Sequence, residues 1–401
     1  MALGGRSIVV GMSGGTAAYK ACELVRLLVQ AGAAVQVVMT ENAQHFVTPL
    51  TLQTLSGRPV ATDTFSLTQE SEIGHIRLAD QADAIVVAPA TANLLAKMAH
   101  GLADDLLSTA LLATRAPIVV APAMNVHMWE HPATRANVAT LQSRGVRVVG
   151  PGRGSLACGY EGEGRLVEVA EIVEAIETAL APQDLAGERI VVSAVPTREA
   201  LDPVRFLSNH SSGKMGFAIA RVARRRGAEV TLVHGPVALA PPPGVTTVPV
   251  TTAREMQREL ARAFAKATAL VMAAAVADHR PRDVASRKLK RGAAARSTLP
   301  LVANADIVRT LARTKGRRVV IGFAAETGDG EREARRKLAE KGLDLIVLND
   351  VTAAGAEFGA DTNLVHLLDR RGGDVRLPLL SKEDVAGHIL DWLVARQARR
   401  R

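Results

Sequence analysis

Residues 208–216 read SNHSSGKMG, a Gly-Lys pair inside a run of hydroxyl side chains, and the first chemistry such a run suggests is phosphate binding. A P-loop needs a glycine five residues ahead of the Gly-Lys glycine and a Ser or Thr after the lysine, whereas this chain has Ser208 and Met215 there. It is not a P-loop. The short residues still leave backbone N–H groups open to an anion, and the helical pattern that starts at Met215 aims its positive end at the same place. Near the N-terminus, GMSGGTAAYK sets Ser13 and Gly14 between a strand-like run and a helix. That suits a single phosphate, as in a mononucleotide. It is not GxGxxG, and the next strand ends in Val-Met-Thr-Glu rather than in a ribose-binding acid. Thr91 and Asn93, in APATANLLAK, are hydrogen-bonding partners for a planar ring edge, and Asn125 follows a further strand in APAMNVHMW.

Cys158 stands in GRGSLACGYEGEGR, a glycine-rich loop that reads as a mobile flap. A thiol there is poorly placed for packing, and reactive thiols need access. Cys22, at helical spacing with Leu24 and Val25, reads as core. Taken singly, His75 in SEIGHIRLAD is as well explained by capping or core packing, and Asn125 by a turn. Asp278 closes the apolar run LVMAAAVAD, at the end of an expected buried strand. Lys337 and Lys341 are an i, i+4 pair that spacing alone assigns to a solvated helix face.

The elements that must position these groups follow from periodicity. RSIVVGMSGGTAAYKACELVRLLVQAGAAVQVVMT reads as strand, glycine turn, amphipathic helix, Gly32 and a second strand ending at Thr40; residues 189–234 repeat the plan. Each half continues with a buried strand followed by small residues, ADAIVVAPATAN and ATALVMAAAVAD. The expected class is α/β, two doubly wound Rossmann-like units with ligands at the carboxyl ends of the strands. The 401-residue length suits two domains, and 48% apolar with only 3% aromatic residues suits parallel sheets covered by helices. The expected boundaries are 1–180 and 189–401, with 181–188 as a linker carrying proline and glycine. The net charge of +9 sits largely in Arg224–Arg226, residues 287–291, residues 335–337 and the C-terminal arginines, without interleaved aromatics. Solvated surface and small anionic ligands are expected rather than nucleic acid. No apolar run reaches membrane-span length and no signal peptide is apparent, so the expected location is the cytoplasm. Two cysteines make no disulfide framework.

In order, residues 14–20, MTENA, GHIRLA, PATAN, PAMNVHMW and LACG resemble the homo-oligomeric flavin-containing cysteine decarboxylases, over most of residues 6–180. The resemblance implies a flavodoxin-like unit binding FMN through Ser13, Gly14, Thr40, Thr91, Ala92 and Asn93. It further implies His75 as the catalytic histidine, Asn125 on the substrate carboxylate and Cys158 as the proton donor of the last, reductive step. Decarboxylating a cysteine amide leaves a carbanion that nothing stabilises, so oxidation of the thiol to a thioaldehyde by a flavin supplies the electron sink.

The second half, through PTREALDPVRFLSNHSSGKMGFAIA, AAAVADHRP, RKLKR, IGFAAET and RRKLAEKGLDLIVLND, resembles the CTP-dependent phosphopantothenate–cysteine ligases over roughly residues 189–395. Decarboxylase then ligase is the order of the bifunctional coenzyme A biosynthesis enzymes. The implied substrates are 4′-phosphopantothenate, L-cysteine and CTP with Mg²⁺, and the implied assembly is a homo-oligomer with trimeric decarboxylase and dimeric ligase contacts. Carried over by resemblance, Asn209 handles the acyl-nucleotide, Lys288, Lys337 and Lys341 lie near the nucleotide, Phe323 packs on it, Ala274, Asp278 and Asp306 complete its pocket, and the Asp278 carboxylate is placed at the end of its strand to hold Mg²⁺. Three positions depart from the relatives' pattern: Val195 replaces a glycine, Ala305 replaces the proline of NPDI, and His279 stands where an aromatic is common. If position 195 needs a positive φ, valine strains it. Two other readings, an NAD-dependent Rossmann dehydrogenase and a non-catalytic regulatory flavoprotein, leave His75, Asn125, Cys158 or the lysines unexplained.

Overall fold

The computed structural model describes residues 3–64, 74–155, 159–290, 298–326, 330–357 and 359–398. The chain separates into two compact units, Met1–Ala181 and Pro182–Arg401.

The first unit alternates strands and helices: β1 (Ser7–Met12), α1 (Tyr19–Gln30), β2 (Ala34–Met39), α2 (Glu41–Gln44), α3 (Pro49–Ser56), α4 (Gly74–Gln81) and β3 (Ala84–Ala90). Then come α5 (Ala92–His100), α6 (Leu106–Ala113), β4 (Ile118–Pro122), α7 (Val126–Glu130), α8 (Pro132–Ser143), β5 (Arg147–Val148), the hairpin β6 (Gly152–Ser155) and β7 (Glu161–Arg165), and α9 (Val169–Leu180). The sheet order is β2-β1-β3-β4-β5, with every pair parallel. This is the flavodoxin-like order, whose switch point lies between β1 and β3. Alternate strand residues explain why both faces need helices: Ile8, Val10, Val86 and Val119 join α1 and α9 in one core, while Val9, Ile85, Val87 and Val120 join α5, α6 and α8 in the other. On α1 the buried positions Ala21, Leu24, Val25 and Leu28 make one stripe at helical spacing. Local chemistry fixes helix ends, as where Asp105 and Ser108 form a capping box on α6, and where Pro49 opens α3 behind the Thr48 cap.

The second unit runs β8 (Arg189–Ala194), β9 (Glu199–Ala200), β10 (Phe206–Leu207), α10 (Lys214–Arg225), β11 (Glu229–His234), β12 (Thr246–Pro249), α11 (Ala253–Phe264), β13 (Ala269–Met272), β14 (His279–Pro281) and β15 (Leu301–Ala303). It continues with α12 (Ile307–Arg313), β16 (Val319–Glu326), α13 (Gly330–Glu340), β17 (Leu345–Asp350), β18 (Thr362–Asn363), β19 (Val365–Asp369), β20 (Asp374–Arg376), β21 (Leu380–Ser381) and α14 (Lys382–Ala398). Its sheet has the order β12-β11-β8-β13-β16-β17-β19-β20, parallel through β17 and antiparallel at β19 and β20. The first six strands have the Rossmann order, with the switch point between β8 and β13. Among the described residues three short antiparallel ribbons, β9–β10, β14–β15 and β18–β21, stand outside this sheet.

Three expectations change. Residues 182–188 are no free linker: Leu185 is fully buried in the second core, Gln183 donates to the Arg225 carbonyl at 3.0 Å and Asp184 pairs with Arg226 at 2.6 Å. For the same reason Arg225 and Arg226 are not solvated surface; they are 6% and 7% exposed, and bind Glu383 and Asp391 of α14 at 2.8 and 2.6 Å. Finally, the strand expected to reach Asp278 stops at Met272, because Ala274 N–H donates to Ser193 Oγ and Ala277 N–H to Thr197 Oγ1, which lifts the chain out of the ladder.

Val195 has φ = 74°, the one non-glycine residue with positive φ among the described residues, and it is 2% exposed. A β-branched side chain is strained there. Packing holds it: a Cβ on Gly213 would lie 2.4 Å from Val195 Cγ2, so the two segments meet as closely as a glycine allows.

Candidate functional site

In the first unit the loops that follow β1, β2 and β3 are laced together at the carboxyl edge of the sheet. Ser13 is 3% exposed; its Oγ donates to the Pro89 carbonyl at 2.8 Å and accepts from Thr91 N–H at 2.9 Å. The Thr40 N–H donates to the Met12 carbonyl at 3.0 Å, tying in the loop after β2. Gly14 permits this approach, since a Cβ there would fall 2.5 Å from Asn42 Cβ and 2.7 Å from its carbonyl atoms. Thr40 and Thr91 cap α2 and α5, accepting from Ala43 N–H at 3.3 Å and Leu94 N–H at 3.4 Å. Ala92 and the exposed Asn93 form the first turn of α5. Ser13, Gly14, Thr40, Thr91, Ala92 and Asn93 therefore surround the β1/β3 switch point. Small residues and helix starts there fit the phosphate end of a mononucleotide.

Asn125 follows β4 at the same edge and begins α7, with Oδ1 accepting from His127 N–H at 2.9 Å. His75 is half-buried in the first turn of α4, the helix that leads into β3. The expected flap is a hairpin on either side of residues 156–158: β6 pairs with β7, Met124 N–H donates to the Gly164 carbonyl at 2.9 Å, and Trp129 Nε1 donates to Glu163 at 3.1 Å. The arms are thus fastened beside Asn125. Cys158 itself lies outside the described residues.

In the second unit a cavity of about 500 Å³ opens beyond β13 and β16. Asn209, Ala274, Asp278, Asp306, Phe323, Lys337 and Lys341, all singled out from the sequence, line it. Asn209 Nδ2 donates to the Ala275 carbonyl at 3.0 Å, which fixes the loop after β10 to the loop after β13. Asp278 is exposed, and its carbonyl accepts from Asn304 N–H at 2.8 Å. Asp306 caps α12 and pairs with Lys341 at 3.0 Å, while Lys337 lies 3.8 Å from Glu333. A solvated face therefore describes neither lysine fully, because both also border the cavity. Lys288 is not among the lining residues; it is exposed on a loop held by Asp202, which accepts from Leu289 N–H at 3.1 Å. The Arg205 guanidinium, followed by backbone N–H groups, keeps the Asp202 carboxyl below its usual range.

Among the described lining residues Asp278 is the carboxylate not paired with a lysine, which suits a metal held mainly by substrate phosphates and water. Among the described residues the one histidine–carboxylate trio at ligand spacing is Glu331, His366 and Asp374, away from the cavity lining. Its carboxylates are already taken by Arg335 and Arg376. Several residues that hold the site carry no local sequence signal. Asn304 Nδ2 donates to the Ala277 carbonyl at 2.8 Å, and Ser193 and Thr197 catch the loop after β13. All three act through backbone contacts made far along the chain.

Comparison with known proteins gives the same two-part division. Residues 2–181 match the family described as Flavoprotein, and residues 185–396 match the DNA/pantothenate metabolism flavoprotein C-terminal domain. The coenzyme A biosynthesis bifunctional protein CoaBC of Bacillus subtilis is 48% identical over 397 residues, covering 98% of each chain. That of Vibrio cholerae is 47% identical over 390 residues, 97% of this chain and 98% of the relative. That of Escherichia coli K12 is 48% identical over 400 residues, 99% of this chain and 98% of the relative. With relatives this similar along nearly their whole length, the chain belongs to the family of bifunctional coenzyme A biosynthesis proteins.

Proposed function

We propose that the chain catalyses two consecutive steps of coenzyme A biosynthesis. The second unit joins 4′-phosphopantothenate to L-cysteine at the expense of CTP, and the first decarboxylates the phosphopantothenoylcysteine to 4′-phosphopantetheine with FMN. The observation that carries this reading is the match of both units, in order, to bifunctional coenzyme A proteins.

For the ligase, the substrate carboxylate attacks the α-phosphorus of CTP, releasing pyrophosphate and leaving an acyl-CMP; the cysteine amine then displaces CMP to form the amide. The cavity beyond β13 and β16 is the nucleotide site in this reading. Phe323 packs on the base, Lys337 and Lys341 offset phosphate charge, and Asn209 steadies the acyl-CMP during cysteine attack. Asp278 would hold Mg²⁺, which neutralises charge on the phosphates. Asp306 releases Lys341 when nucleotide enters; an exposed pair of this kind contributes only about 0.2–1 kcal/mol. Lys288 reaches the phosphates from its exposed loop.

For the decarboxylase, the switch-point loops hold the FMN phosphate, with Ser13 orienting Thr91 rather than spending its hydroxyl on the ligand. When bound, FMN would supply a two-electron sink for the substrate thiol and a source of the same electron pair after CO₂ loss, so that no net oxidation results. Asn125 holds the substrate carboxylate until it leaves, His75 moves the proton of the oxidative step, and Cys158 supplies the proton of the last step. Exposed Val204, Phe206, Val284, Leu289 and Leu301 on and beside the ribbons supply an apolar surface for dimeric ligase contacts, and the decarboxylase is read as trimeric. Among the described residues no helix is long and apolar enough to cross a membrane. We place the enzyme in the cytoplasm.

The test is a split assay on the purified full chain. Phosphopantothenoylcysteine supplied alone gives CO₂ and 4′-phosphopantetheine without CTP. Asn209→Asp leaves that reaction untouched but, given phosphopantothenate, CTP, Mg²⁺ and cysteine, releases pyrophosphate faster than amide and accumulates acyl-CMP. Normal amide formation in Asn209→Asp, or loss of its decarboxylation, contradicts the assignment.

A further inference from the structure

The cavity beyond β13 and β16 has a smaller neighbour. It measures about 170 Å³, shares the wall of Ala274 and Phe323, and is bordered by Lys214, Asn349 and Lys382. Lys382 is 7% exposed and makes no ion pair with a carboxylate among the described residues; its Nζ donates to the carbonyls of Ala360 and Thr362 and to Asn363 Oδ1, the last two at 2.9 and 2.8 Å. Its own N–H donates to the Asp361 carbonyl at 3.0 Å, and β18 pairs with β21 alongside. The ammonium therefore pins residues 360–363 to the start of α14.

That segment presents Asp361 to Lys214, whose Nζ donates to Oδ1 at 2.6 Å and to the Gly359 carbonyl at 2.9 Å. The Asp361 side chain is 89% exposed, so two ammonium groups at this compartment face one carboxylate turned to solvent. Asn349 borders the same compartment with a buried Oδ1 that accepts no hydrogen bond among the described residues, a place for a donor group of a ligand rather than for its anion. An exposed Lys–Asp pair is weak, whereas a lysine–phosphate contact in a half-enclosed site is charge-assisted and stronger. The excess positive charge calls for an anion.

We propose that Lys214 is a phosphate-binding residue of the ligase site, its ammonium handed from Asp361 to a phosphate group of a bound substrate, and that Lys382 is the positioning residue that holds the Asp361 segment against α10. This rests on the ligase reading of the second unit. The phosphate belongs either to the CTP triphosphate or to the terminal phosphate of the acyl substrate.

The experiment is calorimetric titration of the flavin-loaded full chain, without cysteine, with CTP, CMP and 4′-phosphopantothenate, joined to steady-state KM and kcat for the ligase. Lys214→Gln weakens binding at least tenfold for CTP but not CMP if the triphosphate is the ligand, or for phosphopantothenate if its own phosphate is. Asp361→Asn tightens binding of that same ligand two- to fivefold, because the competing carboxylate is gone; a merely structural Asp361 would not do so. Lys382→Gln, by releasing the Asp361 segment, lowers the KM for that ligand with kcat nearly unchanged and leaves no further gain from Asp361→Asn. If Lys382→Gln does not fold, the half-exposed Lys214 and the exposed Asp361 still decide the matter. Unchanged binding of both ligands by Lys214→Gln overturns the inference alone. Failure of the wild type to bind either ligand overturns the ligase reading with it.

Discussion

Ser13→Ala isolates the lacing of the flavin site. The Ser13 Oγ makes two bonds at a position 3% exposed, donating to the Pro89 carbonyl and accepting from Thr91 N–H. The Pro89 carbonyl keeps a longer bond from the Ser13 N–H at 3.3 Å, but the Thr91 N–H loses its acceptor. One lost bond and one stranded donor together cost about 2–4 kcal/mol. For a unit of this size that lowers the melting temperature by roughly 10 °C. Because Thr91 starts α5 at the switch point, the loosened loop also weakens flavin binding, by about tenfold for each 1.4 kcal/mol of the loss that falls on the bound state. The assay is thermal unfolding of the apoprotein together with flavin titration followed by fluorescence quenching. Wild-type melting and wild-type flavin affinity would refute the lacing argument. Wild-type melting with lost flavin would make Ser13 a direct ligand contact instead.

His75→Asn keeps the protein yellow but stops CO₂ release from phosphopantothenoylcysteine; normal turnover returns His75 to the capping class. At Val195, loss of a methyl and the extra chain entropy of glycine would make Val195→Gly less stable than Val195→Ala by about 1.5 kcal/mol at an ordinary buried site. Relief of left-handed strain of about 1–2 kcal/mol offsets that, so urea midpoints of the two variants nearly coincide; a clearly weaker glycine variant contradicts the strain. Burial, reinforced by Lys214, pushes the Lys382 ammonium down from 10.5 to about 8. Between those values the unfolded chain binds more protons, so stability rises with pH across that window. Urea unfolding should show the wild type gaining on Lys382→Met between pH 8 and pH 10; no relative gain contradicts the burial argument.

The doubly wound architecture was legible because parallel strands buried on both faces leave long Val- and Ile-rich runs, and because Gly32 and Gly227 stop helices at matching places in the two units. Local motifs likewise drew attention to Ser13, Thr91, Asn125 and Asn209, which stand in loops or at helix starts after the strands. What stayed hidden acts across the chain. Lys382 fastens the segment of Asn363, 19 residues away, whose Asp361 meets Lys214 across 147 residues, and nothing beside Lys382 in the sequence marks a buried ammonium. Arg225 and Arg226 looked like a solvated run because their partners, Glu383, Asp184 and Asp391, lie on other elements. The end of β13 was misjudged because side-chain hydroxyls of Ser193 and Thr197 replace the ladder there, a tertiary event that an apolar run cannot announce. Val195 was the reverse case: one departure from a glycine was enough to foresee the strained backbone.

The central claim is that one chain carries both steps, and isotope stoichiometry tests it most directly. Purified protein receives 4′-phosphopantothenate, CTP, Mg²⁺ and cysteine labelled with ¹³C in its carboxyl group, with no nicotinamide cofactor, and products are followed by mass spectrometry. The account predicts 4′-phosphopantetheine without label, with ¹³CO₂, CMP and pyrophosphate in equal amounts. Labelled phosphopantothenoylcysteine as the end product, or ¹³CO₂ released without CTP consumption, would contradict it.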